Sequence, residues 1–268
     1  SCKDCPEGFQ GTKNMNDSTI CLSCNAGYYQ GEAGKTFCLP CIPGERQNVT
    51  SATKCSLCDL GKYQPEQNAT ICDFCLPGQY QKNIGQAFCF PCIPGKYQPT
   101  KGTQSCNNCQ EGKYTDIAGN STCLHCPTGF YQEDQGQASC LPCSPGEYND
   151  QKNVVRCKLC EEDTYSEQKN RTTPCDACAE GRLAVKGSTK CTDCLAGQYE
   201  ELTEIGEKKC STCLPGNYTD ASNLKACKQC PKGYAQSSPE QTSCVPCVKG
   251  EYNDIESAAT CKSCEEDT

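Results

Sequence analysis

The chain has 268 residues, 32 of them cysteine, with no Trp, one Met and one His. A cysteine share of about 12% marks a disulfide scaffold from an oxidising compartment, because cytosolic thiols at this density would stay reduced and be reactive or bind metal. The formal net charge of −8 argues against nucleic acid or an anionic membrane surface as a partner.

Taken in chain order, the cysteines fall into sixteen Cys-x-x-Cys pairs with none left over. Their first members stand at 2, 21, 38, 55, 72, 89, 106, 123, 140, 157, 175, 191, 210, 227, 244 and 261. The step from one to the next is seventeen nearly everywhere, with departures to sixteen, eighteen or nineteen, which is the mark of a repeat array built from one small supersecondary unit. Counted from the second cysteine of a pair, the third residue is Gly in fourteen of sixteen units, the exceptions being Asp163 and Asp267. Gly reaches positive φ freely and Asp tolerates it, so a left-handed turn position accounts for both. The fifth residue is Tyr in eleven units, from Tyr29 and Tyr63 to Tyr218 and Tyr252. A ring at a fixed offset is expected to cover a disulfide or to stack on its neighbour's ring.

A longer period lies above this one. GKTFCLPC, GQAFCFPC and GQASCLPC surround Cys38, Cys89 and Cys140, and Cys-Lys-x-Cys-Glu-Glu-Asp-Thr occurs at 157–164 and again at 261–268. Three units thus form a super-repeat of about 51 to 53 residues, as duplication of a three-unit block would leave it. Residues 1–268 read as one continuous array, expected to be a fragment of a longer chain. Units 10 to 12, with EEDTY, AEGRLAV and uneven spacing, are the candidates for a bend or a contact.

One unit offers too few apolar side chains to fold on hydrophobic burial alone, so covalent closure must replace a core, with stacking and turn hydrogen bonds adding the rest. Connectivity is not unique from sequence. A scheme that keeps the symmetry of the short repeat bonds the second cysteine of each pair to the first of the next: Cys5–Cys21, Cys24–Cys38, Cys41–Cys55, Cys58–Cys72, Cys75–Cys89 and Cys92–Cys106, and so on, leaving Cys2 and Cys264 without partners inside the segment. The competing scheme interlocks the pairs, as in Cys2–Cys21 with Cys5–Cys24, and requires a period of two units that the sequence does not display. The symmetric scheme is favoured.

Zinc-ribbon spacing is matched by any two adjacent pairs. Sixteen equidistant pairs single out none, however, and His125, inside CLHC, reads as a spacer. Neither a metal nor a cofactor is expected. Glu161-Glu162-Asp163 and Glu265-Glu266-Asp267 read as solvated acidic turns, since no alternating-ligand calcium loop follows them. Six N-x-Ser/Thr sequons, at Asn16, Asn48, Asn68, Asn120, Asn170 and Asn217, exceed the roughly two that chance would give and point to N-linked glycans on a secreted surface. Four of them recur about 52 residues apart, so duplication of one sequon also accounts for part of the excess. No apolar run approaches the ~18 residues of a membrane span, and no nucleophile–base pair or acid pair stands out, so no enzyme is expected.

The recurring Cys-x-x-Cys-x-Pro-Gly-x-Tyr, followed by a polar run and another pair, resembles the ephrin-receptor-like cysteine-rich repeat. It is also similar to the smaller disulfide loops of tumour-necrosis-factor-receptor modules. CLPCIPGERQ, CDFCLPGQYQ, CFPCIPGKYQ, CLHCPTGFYQ, CLPCSPGEYN and CSTCLPGNYT carry the likeness. It implies a small disulfide-rich fold, mostly β and irregular, running as an elongated tandem array of short β-hairpin units of about 17 residues. It also implies an extracellular or cell-surface location. The uninterrupted units favour a structural glycoprotein, a segment of a fibre or of a cell-surface appendage such as a flagellar hair, associating with itself or with other surface glycoproteins. The alternative is the stalk and ligand platform of a receptor or adhesion ectodomain.

Overall fold

A computed structural model describes residues 4–204 and 206–264. Cys2, Asp267 and the second acidic turn lie outside the described residues. The described chain contains no helix and fifteen two-stranded sheets, each formed by consecutive strands.

The recurring unit follows from two local rules. First, Cys-x-x-Gly makes a tight turn: Glu45 N–H donates to the Ile42 carbonyl at 3.0 Å, with Pro43 before Gly44 at φ +90°. Pro sets φ for the first central residue of such a turn, and Gly supplies the positive φ of the second. Second, the two residues after Gly pair antiparallel with the two that lie inside the next Cys-x-x-Cys. Glu45 faces Leu57 and Arg46 faces Ser56, and Lys62 and Tyr63 face Phe74 and Asp73 in the same way. The hairpin is closed at its base by the Cys58 amide on the Gly44 carbonyl at 2.9 Å.

The longest steps in the cysteine spacing have a plain cause. Where bonded cysteines stand sixteen apart instead of fourteen, the hairpin extends to five residues a strand, Phe9–Lys13 with Thr19–Ser23 and Gln198–Leu202 with Lys208–Thr212. The irregular spacings of units 10 to 12 are likewise absorbed inside loops, whose bonded cysteines stand 15, 13 and 16 apart.

The chain divides into two compact units. One holds the residues up to Cys126 with Gln132–Leu141 and Asn153–Val155, and the other holds Pro127–Tyr131, Pro142–Lys152 and the chain from Arg156 on. Within the first, three backbone bonds link each repeat to those after it. Gly44 N–H donates to the Gln64 carbonyl at 2.8 Å, Gln47 N–H to the Ala69 carbonyl at 3.0 Å, and Gly85 N–H to the Cys58 carbonyl at 2.8 Å. The second unit repeats the scheme, with Gly146 N–H on Ser166 O at 2.8 Å, Asn149 N–H on Arg171 O at 2.9 Å and Asn170 N–H on Cys143 O at 3.0 Å. Such bonds give a small repeat what its few apolar side chains cannot.

Packing reaches the next-but-one repeat as well. A Cβ on Gly44 would stand 2.2 Å from the Gly85 carbonyl oxygen, and one on Gly146 would stand 2.2 Å from that of Gly187. The glycine of the turn is therefore required twice, for its positive φ and for this approach. Asp163 also sits at positive φ, 58°.

The core is polar and sulfurous. The second cysteines, such as Cys41, Cys58, Cys75 and Cys143, are fully buried, and the other large buried side chains are Gln81, Asn149, Thr115 and Thr219. Tyr63, Tyr80, Tyr97 and Tyr148 are only half-buried. Two ring pairs occur among the described residues, Tyr80–Phe90 at 6.0 Å and Phe88–Phe90 at 5.1 Å. Tyr80 meets a ring of the next unit, Phe90, on the strand it pairs with; no ring pair among the described residues joins two tyrosines.

Candidate functional site

Fifteen disulfides join the second cysteine of each described pair to the first of the next. They run from Cys5–Cys21, Cys24–Cys38, Cys41–Cys55, Cys58–Cys72, Cys75–Cys89 and Cys92–Cys106 through to Cys247–Cys261. Bonded partners stand thirteen to sixteen positions apart, at Cα–Cα distances of 5.4 to 5.8 Å. Cys264 is exposed and carries no bridge.

Next to the Tyr position, which Arg46 and Ala235 fill in two repeats, stands a side chain that sequence reasoning passes over. Gln30, Gln47, Gln64, Gln81, Gln98, Gln132 and Gln236 are all buried. Each amide does the same work: Gln81 Nε2 donates to the Phe88 carbonyl at 2.7 Å, while its Oε1 accepts from Asn83 N–H at 3.1 Å. The side chain thus spans the loop from inside and satisfies two of its backbone groups, as buried polar groups require. Asn149 and Asn253 are too short to cross. Their Nδ2 groups instead reach back to the Phe130 and Tyr234 carbonyls, each at 2.8 Å. The signal is present as a recurrent Gln after Tyr, hidden because a polar residue beside an exposed strand ordinarily faces water.

A second backbone position at positive φ recurs in most loops, filled by Gly34, Ser51, Asn68, Gly85, Gly102, Gly119, Gly136, Asn153, Asn170 and Gly187, and later by Asn223, Glu240 and Ser257. This corner presents the carbonyl that packs on the turn glycine two repeats earlier. Where a large side chain covers the corner it must be Gly: a Cβ on Gly102 would meet Phe74 Cδ1 at 2.5 Å, and one on Gly85 would meet Leu57 Cδ2 at 2.8 Å.

The sequons sort around this corner. Asn68 and Asn170 occupy it, at φ 60° and 57°, Asn48 lies close before it, and Asn16 stands in the tip of the first hairpin; all four are exposed. Asn120 and Asn217 are half-buried with engaged amides. Asn120 Nδ2 donates to Thr115 Oγ1 at 2.5 Å, and Asn217 Oδ1 accepts from Ser257 Oγ at 3.0 Å. Asn153 and Asn223 hold the same corner without a sequon, so the left-handed backbone is reason enough for Asn there.

Charge is arranged locally. Arg171 is buried and its guanidinium grips both Asp176 oxygens, at 2.9 and 2.7 Å, and the Pro174 carbonyl at 2.6 Å, tying up the loop closed by Cys160–Cys175. That bidentate bond holds the Asp176 carboxyl below its ordinary range. The Glu200 carboxyl is also lowered, first by the Gly181 N–H that it accepts at 2.5 Å and then by Lys208 at 3.0 Å. Glu161 of the acidic turn is exposed and pairs with Lys186 at 3.3 Å. His125 is exposed in its hairpin opposite Lys113. Among the described residues no group of three His, Cys, Asp or Glu is placed to hold a metal ion.

One shallow groove recurs with the repeat. Tyr97, Pro99, Gln110 and Lys113 line it in one place, Tyr165, Glu167, Ala179 and Arg182 in another, and Ala235, Ser237, Val248 and Glu251 in a third. These are equivalent positions with different chemistry, so the groove is a by-product of the fold. No helix among the described residues is long and apolar enough to cross a membrane.

The family model described as tyrosine-protein kinase ephrin type A/B receptor-like matches residues 11–54, 78–121 and 112–154. No curated protein matches the chain. The matched family is a receptor-ectodomain type of repeat rather than a catalytic domain, and the density of disulfides is that of extracellular proteins. With its bridged hairpins in tandem the chain is a cysteine-rich repeat array, and the three matched stretches are similar to ephrin-receptor-like repeats.

Proposed function

We propose that the chain is a structural segment of an extracellular glycoprotein, built into a fibre or a cell-surface appendage. Its partners on this reading are further copies of itself or other surface glycoproteins. The observation that supports it most is regularity: the same three backbone bonds recur in both units, a buried Gln or Asn fills the same place in nine loops, and one shallow groove recurs at equivalent positions in three repeats. A binding site ordinarily breaks a repeat at one place, whereas a structural element keeps its units alike. Electron microscopy of native material tests the reading. Ordered filaments whose period matches the three-unit repeat are expected; isolated molecules ending at a membrane or a globular head would overturn it. That second outcome would favour the other reading, the stalk and ligand platform of a receptor or adhesion ectodomain, which rests on the family matches.

N-linked glycans complete the proposal. The exposed Asn16, Asn48, Asn68 and Asn170 carry them, with Asn120 and Asn217 less occupied because their amides are engaged in packing. Site-by-site occupancy after enzymatic deglycosylation in heavy-oxygen water checks this order, and equal occupancy at all six would refute it.

A further inference from the structure

Consecutive bridges are separated along the chain only by the two residues inside a Cys-x-x-Cys: Cys24–Cys38 is followed by Cys41–Cys55, and that by Cys58–Cys72. A continuous covalent route therefore runs from Cys5 to Cys261 through fifteen disulfides and fourteen Cys-x-x-Cys steps. Every hairpin loop hangs beside this route with both ends fastened to one bridge. We propose that the array is a strain-limiting tether, in which tension bypasses the disulfide-closed loops and passes through the Cys-x-x-Cys segments, which carry the second strand of each hairpin, and the disulfides alone.

The consequence is a sharp limit on length. A taut backbone spans ~3.5 Å per residue. With bridges of 5.4 to 5.8 Å, the route from Cys5 to Cys261 draws taut at about 230 Å. The same residues with no bridges would extend to about 900 Å. Melting a hairpin adds nothing, because its loop is off the route, so the limit is independent of the hydrogen bonds that fold the repeats. The interlocked pairing would leave the connectors between alternate pairs under tension and would draw taut at about 460 Å. The limit applies to a fibre and to a stalk alike. It rests on the structural reading only in requiring that the two ends be pulled apart in service.

The test is single-molecule force extension of the full chain, held through handles at its termini and corrected for the residues outside Cys5–Cys261. The oxidised chain is expected to stop at about 230 Å. Addition of a phosphine reductant should raise the limit about fourfold, in increments of about 40 Å for each bridge whose partners stand fourteen apart. The double variant Cys75→Ser, Cys89→Ser should lengthen the oxidised chain by one such increment whether or not the neighbouring hairpins fold. An oxidised limit of about 460 Å, or one that the reductant leaves unchanged, overturns the proposal. Failure to find filaments in native material would instead overturn the fibre reading and leave this length untouched.

Discussion

Replacing Gln81 by Met tests the buried amide that recurs through the array. The side chain is completely buried, and its amide is the partner of the Phe88 carbonyl at 2.7 Å and of the Asn83 N–H at 3.1 Å. Met keeps the length and the volume but offers neither donor nor acceptor. Each backbone group left unpaired in a partly buried place costs about 1–3 kcal/mol, and the gain from burying a thioether offsets about 1 kcal/mol. The net expectation is a loss of about 2 kcal/mol, or roughly 30-fold in the local opening equilibrium. Because a repeat array opens locally, native-state hydrogen exchange is the right assay: the Asn83 amide should exchange roughly 30-fold faster, while amides several repeats away keep their rates. The exposed neighbour Lys82, changed to Met, serves as the control. A change below about threefold at Asn83 would refute the role assigned to the amide.

The turn glycines separate two costs. Gly61→Ala would place a Cβ 2.0 Å from the Gly102 oxygen at φ +72°, whereas Gly233→Ala meets nothing within 4 Å at φ +82°. The second should lose only the left-handed penalty of about 1–2 kcal/mol and the first distinctly more, read as shifts of the denaturation midpoint. Removing one bridge with Cys143→Ser and Cys157→Ser should cost about 3 kcal/mol, the loss of exchange protection being greatest in the adjoining repeats. Asp176 makes the loop closed by Cys160–Cys175 sensitive to acid. Its folded pKa lies below the unfolded value of ~3.9, so its contribution is present above that pH and is lost as pH falls further through the folded value. Thermal scans from pH 5 down to pH 2 should show a steeper fall for the natural chain than for Asp176→Asn, and parallel curves would contradict the pairing with Arg171.

The cysteine period and the glycine of the turn are legible in the sequence because covalent geometry and positive φ admit few residue types. Asp163 is legible for the same reason. The second left-handed corner is not, since Ser51, Asn68, Gly85 and Glu240 all fill it. There the fold uses the backbone carbonyl and leaves the side chain free, except where Leu57 or Phe74 presses down and only Gly fits. Gln81 and its equivalents read as part of a polar run, because burial of an amide depends on backbone partners seven positions away that no local pattern announces. The fixed offset of the tyrosines marks a strand position, and Tyr80 there meets Phe90 of the next unit. Sequence arithmetic also overweights the sequons: Asn68 and Asn170 stand where the backbone already favours Asn.

Hairpin closure and the tension path both depend on which sulfur meets which. Non-reducing digestion followed by mass spectrometry, with fragmentation inside each Cys-x-x-Cys to separate its two members, measures this directly. Cys41–Cys55, Cys58–Cys72 and their equivalents through Cys247–Cys261 are the expected links. Links of the kind Cys38–Cys55 with Cys41–Cys58 would contradict the account.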